Sequence, residues 1–167
     1  MSAGLEAIRE RMAEYLKGQG VAAVPAWPGA ARERQDGPVT AVSLRRCQTG
    51  PAGFQDYLGE RYNESTGLWE EWYGRQATLT FGLDLYAPAR GDGEALQAAF
   101  DALAAALLAG GPPELPVQEF SCGETVYDRE ARLLKRPAEA VCQAYLCAAE
   151  QPGGIFTDFE LRGGIKA

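Results

Sequence analysis

A run of alternating side chains between positions 75 and 87 constrains the fold of this chain more than any other feature. The side chains on one face of the run are apolar: Ala77, Leu79, Phe81, Leu83 and Leu85. Those on the other face include polar groups: Thr78, Thr80, Asp84 and Tyr86. Because successive residues of a strand point to opposite faces, the pattern predicts a half-buried β-strand. Pro88 follows and predicts its end.

The segment that precedes this strand is rich in aromatic side chains: Phe54, Tyr57, Tyr62, Trp69, Trp72 and Tyr73. Turn-forming residues stand among them, including Asn63, Ser65 and Gly67. We name residues 48–74 the flap and expect them to form a long loop or hairpin extension at the start of the strand. Aromatic residues outside a core bury much area at little entropic cost, so the flap is a candidate contact surface.

Two amphipathic helices are predicted. The first covers residues 3–17, with Gly18 and Gly20 as its stop. The second covers residues 93–109, with Asp92 as its N-cap. Gly110 and Gly111 end this second helix.

Strands outnumber the helices. Residues 39–46, 115–123 and 138–149 are predicted strands, residues 125–136 a hairpin, and residues 48–53 a turn. A last strand at 155–161 either borders this sheet or adds to the sheet of a neighbour. The order of elements predicts a single α+β domain over residues 1–167. Two helices are expected on one face of a mainly antiparallel or mixed β-sheet.

The charge balance argues against nucleic acid as a specific partner. The chain has 23 acidic and 16 basic residues, a net charge of −7. Tight binding to nucleic acid requires phosphate neutralisation by Lys and Arg. An acidic surface is nevertheless compatible with a channel through which DNA passes.

The sequence offers little that would support catalysis, a cofactor or a metal. It contains no histidine, and its four cysteines form no C-x-x-C pair, so no metal site is expected. Cys122, Cys142 and Cys147 are expected to be small buried residues. No nucleophile elbow or phosphate-binding glycine loop is present, so no cofactor is predicted. One catalytic alternative stays open, in which Glu70 or Glu71 acts as an acid in an aromatic cleft.

The sequence predicts neither a signal peptide at its amino terminus nor a membrane span. The amino-terminal residues are charged and helical in pattern, and the longest apolar run, 102–109, is shorter than a membrane span. A cytoplasmic protein is therefore expected.

Three segments carry a resemblance to a known family: LEAIRERMAEYL, GFQDYLGERYN and WEEWYGRQATLTFGLDLYAP. The second helix and the region SCGETVYDREARLLKRPAEAVCQAYLCA also fit. The chain resembles phage tail terminator, or tail completion, proteins of tailed phages and phage-like tail particles. The resemblance implies a small α+β subunit of a homohexameric ring, without enzymatic activity. Such a ring caps the head-proximal end of the tail tube and ends its polymerisation.

The resemblance also implies partners and a location. The partners would be other copies of the chain, the tail tube protein, and the sheath and head–tail connector proteins. The location would be the host cytoplasm during assembly and then the virion or phage-like tail particle. DNA would pass through the lumen, with no cofactor and no membrane involved. We expect the interface to use Tyr57, Tyr62, Trp69, Trp72 and Tyr73, with Arg45, Arg46, Arg61 and Arg75 in intersubunit ion pairs.

Other functions stay open at this point. A head–tail connector or head-completion subunit belongs to the same class. A small carboxylate-dependent enzyme and a monomeric ligand-binding domain with an aromatic pocket belong to different classes.

Overall fold

The structure, a computed structural model, describes residues 4–25, 37–51, 56–89, 93–149 and 160–164. These residues form one nine-stranded sheet and two helices, which confirms the predicted α+β architecture. The elements in chain order are α1 (Leu5–Gly18), β1 (Ala23–Val24), β2 (Val39–Pro51), β3 (Tyr57–Asn63), β4 (Leu68–Pro88), α2 (Glu94–Leu108), β5 (Val117–Cys122), β6 (Val126–Asp128), β7 (Leu133–Arg136), β8 (Ala138–Ala149) and β9 (Glu160–Arg162).

Strand β4 is the axis of the sheet. Its 21 residues span about 70 Å at the usual rise of an antiparallel strand. Strands β2 and β3 follow one another along one edge of β4, and β8 and β7 lie along its other edge. All four of these neighbours run antiparallel to β4. Further out, β1 pairs in parallel with β2, β5 and β9 pair with β8, and β6 pairs with β7.

Both helices pack on one face of the sheet, which we call the helix face. The five apolar residues predicted for the buried side of β4 are all 0% exposed, as the alternation required. Ile8, Met12 and Leu16 of α1 and Leu103 of α2 join them in one core. The Tyr15 hydroxyl donates a hydrogen bond to the carbonyl of Ala106 at 2.6 Å and ties the two helices together.

The opposite face carries no helix among the described residues, and we call it the bare face. A small cluster covers one end of it, where Val39 and Tyr86 pack with Ala131 and Leu133 from the β6–β7 hairpin. The rest of this face presents mainly polar side chains, including Thr78, Thr80 and Gln143.

Several predicted boundaries are confirmed and others are wrong. Strand β8 covers the predicted residues, and the hairpin predicted at 125–136 is present as β6 and β7, which are joined by a turn at residues 129–132. The predicted turn at 48–53 is wrong for its first four residues, because β2 continues to Pro51 opposite Arg75 of β4. The pairing partner thus overrides the local turn chemistry of Gly50 and Pro51.

The N-cap prediction also needs correction. The N-cap of α2 is Gly93, with φ at +82° and no side-chain cap hydrogen bond. Asp92 itself lies outside the described residues. A left-handed backbone favours glycine at this position.

The cysteine prediction holds for two residues. Cys142 and Cys147 are buried in β8, but Cys122 is exposed at the end of β5, which corrects the expectation for that residue. Burial raises the pKa of the Cys142 thiol to about 12.

The final strand is only partly described. Strand β9 pairs antiparallel with β8 of the same chain, from Glu160 opposite Cys147 to Arg162 opposite Tyr145. The predicted residues 155–159 lie outside the described part. No helix in the described ranges is long and apolar enough to cross a membrane.

Candidate functional site

The part of the flap from Tyr57 onwards is a β-hairpin built from β3 and the first residues of β4. We call residues 57–73 the hairpin arm. Asn63 closes its turn, because its side-chain oxygen accepts a hydrogen bond from the backbone N–H of Ser65 at 2.9 Å. The N–H of Gly67 donates to the Asn63 carbonyl at 2.8 Å, and Gly67 takes a φ of +69°. The predicted turn residues therefore lie at the tip of the arm.

The arm extends beyond the part of the sheet that the helices cover. Ala77 is 0% exposed, whereas Trp69, eight residues earlier in β4, is 69% exposed. Strand β8 pairs with β4 only from Trp72 onwards. In the described part of the chain, residues 68–71 therefore have β3 as their one neighbouring strand. The end of the arm is a two-stranded ribbon.

One face of the arm combines aromatic and acidic side chains, and we call it the acidic aromatic face: Tyr57, Glu60, Tyr62, Trp69, Glu71 and Tyr73. Three cross-strand pairs form it, namely Tyr57 with Tyr73, Glu60 with Glu71, and Tyr62 with Trp69. Each aromatic pair meets edge to face with ring centroids 5.5 Å apart. By the alternation of β4, this face continues the helix face of the sheet.

The acidic row of this face places two like charges opposite each other. Glu60 and Glu71 are direct partners in the antiparallel register and both are exposed. The Tyr73 hydroxyl donates to Oε2 of Glu71 at 2.9 Å. The pKa of the Tyr57 phenol is raised by partial desolvation and by the negative charges of Glu60 and Glu71. Like charges at directly opposed strand positions destabilise a sheet, so this arrangement costs the free chain stability.

The other face of the arm is internally matched, and we call it the paired face: Arg61, Asn63, Leu68, Glu70 and Trp72. Arg61 lies opposite Glu70 in the register, with Nη2 at 3.6 Å from the carboxylate. The Asn63 amide donates to Glu70 at 2.7 Å. The Arg61 guanidinium also stacks over the Trp72 ring, 3.8 Å from its centroid. Each charge on this face therefore has a partner within the chain.

Trp72 differs from the other aromatic residues that the sequence assigned to the interface. It is 8% exposed, whereas Tyr57, Tyr62 and Trp69 are 41%, 49% and 69% exposed. The guanidinium of Arg162 in β9 lies 4.8 Å from its ring centroid, in addition to that of Arg61. Trp72 is therefore an internal residue that joins the arm to the carboxyl-terminal strand. It is not part of the exposed surface of the chain.

Three of the four candidate interface arginines have ion-pair partners inside the chain. Arg61 pairs with Glu70, and Arg75 lies 3.6 Å from Asp56. Arg46 is exposed on the bare face, and no ion pair joins it to another described residue. The intersubunit ion pairs expected from the sequence remain predictions.

Arg45 bridges three strands of the sheet. A bulge at Leu44–Arg46 in β2 lets the Arg45 guanidinium bind Asp84 of β4 at 2.7 Å and Glu139 of β8 at 2.8 Å. Its path crosses Gly82, where an added Cβ would lie 2.5 Å from Nε of Arg45. The glycine thus leaves space for a cross-sheet ion pair, which indicates a structural role for Arg45.

Two further functions considered from the sequence, a carboxylate-dependent enzyme and a ligand-binding domain, can be compared with the positions of Glu70 and Glu71 and with the lining of a cavity. Glu70 contacts Arg61 and Asn63 on one face of the arm, and Glu71 is exposed on the other face. A cavity of about 320 Å³ lies between α2 and the amino-terminal end of β2, lined mainly by small apolar residues and by Thr40. None of the flap aromatics lines it.

The described residues contain no group of three or more His, Cys, Asp or Glu side chains arranged to hold a metal ion. The chain matches no protein-family model and no curated protein.

Sequence reasoning overlooked part of the site. Glu60, Glu71 and Leu68 were not assigned to the contact surface, although Leu68 is 64% exposed. The signal was present in the period of two, which continues from the buried strand back through the flap. Extending that period separates Trp69 from Trp72 and brings Trp69 and Glu71 to one face.

Proposed function

We propose that the chain is a structural subunit of a ring that caps the head-proximal end of a phage or phage-like tail tube. The ring ends tube polymerisation and joins the tail to the connector. The subunit has no catalytic role, and its partners are other copies of itself and the tube protein. It acts first in the host cytoplasm and then in the assembled particle.

The observation that carries this proposal is the hairpin arm. It extends past the helix-covered sheet and exposes Tyr62, Leu68 and Trp69 at its end. Exposed aromatic residues are typical of protein–protein contacts, because they lose little side-chain entropy on burial. The sequence resemblance to tail terminators supplies the identity of the assembly. The arm supplies a surface suited to it.

Solution mass with and without the tube protein tests the proposal. The tube protein is taken from the genome that encodes this chain, and sedimentation velocity gives the mass of each mixture. We expect a closed oligomer, either of the chain alone or only at the end of the tube, and tubes seen by electron microscopy should stop growing. A chain that stays monomeric in both samples would contradict the proposal.

A variant pair connects the assembly to the arm. Tyr62→Ala with Trp69→Ala removes two exposed rings that contribute little to the core, so the fold should persist while assembly weakens. Tyr127→Ala is the matched control, because Tyr127 is 53% exposed on β6, outside the arm. If both variants assemble equally well, the arm is not part of the assembly interface.

A further inference from the structure

The acidic aromatic face of the arm has a chemistry that identifies the kind of partner it suits. Its three cross-strand rows are aromatic, acidic and aromatic in order along β4, at Tyr73, Glu71 and Trp69. Neighbouring rows on one face of a strand are about 7 Å apart. Two exposed carboxylates are thus flanked on both sides by aromatic rings, of which Tyr57, Tyr62 and Trp69 are exposed and Tyr73 is half-buried.

Such a surface suits a cation. The opposed carboxylates of Glu60 and Glu71 repel each other in the free chain, and a positive group between them turns that repulsion into attraction. The exposed rings of Tyr57 and Trp69 lie in the two flanking rows, where they can contact the same cation or apolar groups beside it. Desolvation and, after it, the negative charges of Glu60 and Glu71 raise the pKa of Tyr57.

The chain itself is a poor source of that cation. Its net charge of −7 opposes contact between copies through an acidic face. Many of the described cationic side chains are already in ion pairs or against aromatic rings: Arg9, Lys17, Arg45, Arg61, Arg75, Lys135, Arg136 and Arg162. A partner of different sequence fits the charge better.

We propose that the acidic aromatic face binds an extended segment of a partner protein that presents a lysine or arginine between two apolar side chains. In an extended segment, residues two positions on either side of the cation lie on the same face as the cation. The cation sits over Glu60 and Glu71, and the apolar side chains contact the two aromatic rows. This inference rests on the proposed function only in giving the arm a contact role.

A titration with capped heptapeptides tests the proposal on the full chain. The probe is Thr-Val-Thr-Arg-Thr-Val-Thr, and the readout is the indole N–H resonance of Trp69, assigned with Trp69→Phe. We expect saturable shifts at millimolar peptide, weakened by about 0.5 M salt. The peptide with Gln in place of Arg, and the peptide Val-Thr-Thr-Arg-Thr-Thr-Val, should bind more weakly. No saturable shift up to about 10 mM would overturn the proposal, as would equal binding of the Gln peptide.

Charge-neutral variants of the chain sharpen the test. Glu60→Gln with Glu71→Gln keeps the shape of the face and should weaken the Arg peptide about tenfold. Glu64→Gln at the tip of the arm is the control, since it removes one charge outside the face and should leave binding within about twofold. Unchanged binding by the double variant would overturn the proposal. Self-association of the wild type that the double variant loses would also overturn it, in favour of a second copy as occupant.

The test separates this inference from the proposed function. If the chain closes a ring at the tube end but binds no Arg peptide, only the partner chemistry fails. If the peptide binds while the chain stays monomeric with the tube protein, only the ring function fails.

Discussion

The two faces of the hairpin arm share the same strands and the same turn, yet they treat charge and aromatic surface in opposite ways. On the paired face, Arg61 lies opposite Glu70 and stacks on a buried Trp72. On the acidic aromatic face, Glu60 lies opposite Glu71 and Trp69 is exposed. One ribbon thus combines a face whose charges are matched within the chain with a face that carries a repulsive acidic row between exposed aromatic pairs.

The difference between the two faces of the arm follows from strand geometry. Neighbouring residues of β4 point in opposite directions, so Trp69 and Trp72 are separated by their odd spacing alone. A face that carries exposed aromatics and unbalanced charge can persist because the opposite face anchors the arm to the sheet. Arg162 of β9 takes part in that anchor.

Removing each tryptophan should give the largest difference between the two faces. We expect Trp72→Ala to lower the free energy of unfolding by about 3 kcal/mol or more, because it deletes a buried ring. Trp69→Ala should cost about 1 kcal/mol or less, since it removes one exposed edge-to-face pair. Urea denaturation of both variants measures the difference. Similar losses for the two would show that the faces are not distinct in stability.

Arg162→Ala should have a smaller effect, and one confined to the paired face. Losing the stacked guanidinium should destabilise the chain by about 1 kcal/mol and expose the Trp72 ring to solvent. A red-shifted tryptophan emission, collected in a Trp69→Phe background, reports that exposure. Arg162→Lys, which keeps the charge but loses the planar stack, should recover part of the stability. An unchanged emission would show that Arg162 does not cover Trp72.

Double-mutant cycles should give coupling energies of opposite sign on the two faces. The Arg61 and Glu70 pair should be stabilising by a few tenths of a kcal/mol, as is usual for a partly exposed ion pair. The Glu60 and Glu71 pair should be destabilising by about the same amount, so either Gln variant should raise the unfolding free energy. Thermal unfolding at low and high salt measures both couplings. A favourable coupling energy between Glu60 and Glu71 would show that the two carboxylates do not destabilise the arm.

The titration of Tyr57 should show the smallest effect. Because Glu60 and Glu71 help raise its pKa, Glu60→Gln with Glu71→Gln should move that pKa back towards its usual value. A raised tyrosine pKa disfavours the anion in the folded state, so stability falls as the pH rises above about 10. The double variant should lose less stability over that range. Ultraviolet absorbance, referenced to Tyr57→Phe, follows the titration. If the pKa of Tyr57 is the same in the double variant, the charges of Glu60 and Glu71 do not contribute to it.

Much of the fold was accessible from the sequence because its strands alternate cleanly. The buried side of β4, the limits of β8 and the β6–β7 turn follow from local pattern and turn chemistry. The limits of strands that depend on pairing with distant segments could not be predicted in this way. Strand β2 reaches Pro51 only because β4 extends opposite it, and nothing in the Gly50–Pro51 dipeptide signals that pairing.

The candidate site was predictable in composition but not in arrangement. The aromatic residues of the flap pointed to the arm, yet the buried ring of Trp72 lies against Arg162, which is 90 positions away in the chain. In the same way, the reach of Arg45 to Glu139 depends on a bulge in one strand and on Gly82 in the next. Long-range side-chain pairing of this kind leaves no periodic signal.

The continuity of β4 also has a mechanical consequence. A single strand carries Trp69 at one end and the buried Phe81 and Leu85 towards the other. A pull on the arm along the strand therefore loads the ladders to β2 and β8 side by side, instead of opening their hydrogen bonds one after another. The tip of the arm is fastened directly to the centre of the domain. A load applied there is shared by the sheet and does not depend on the strength of a loop.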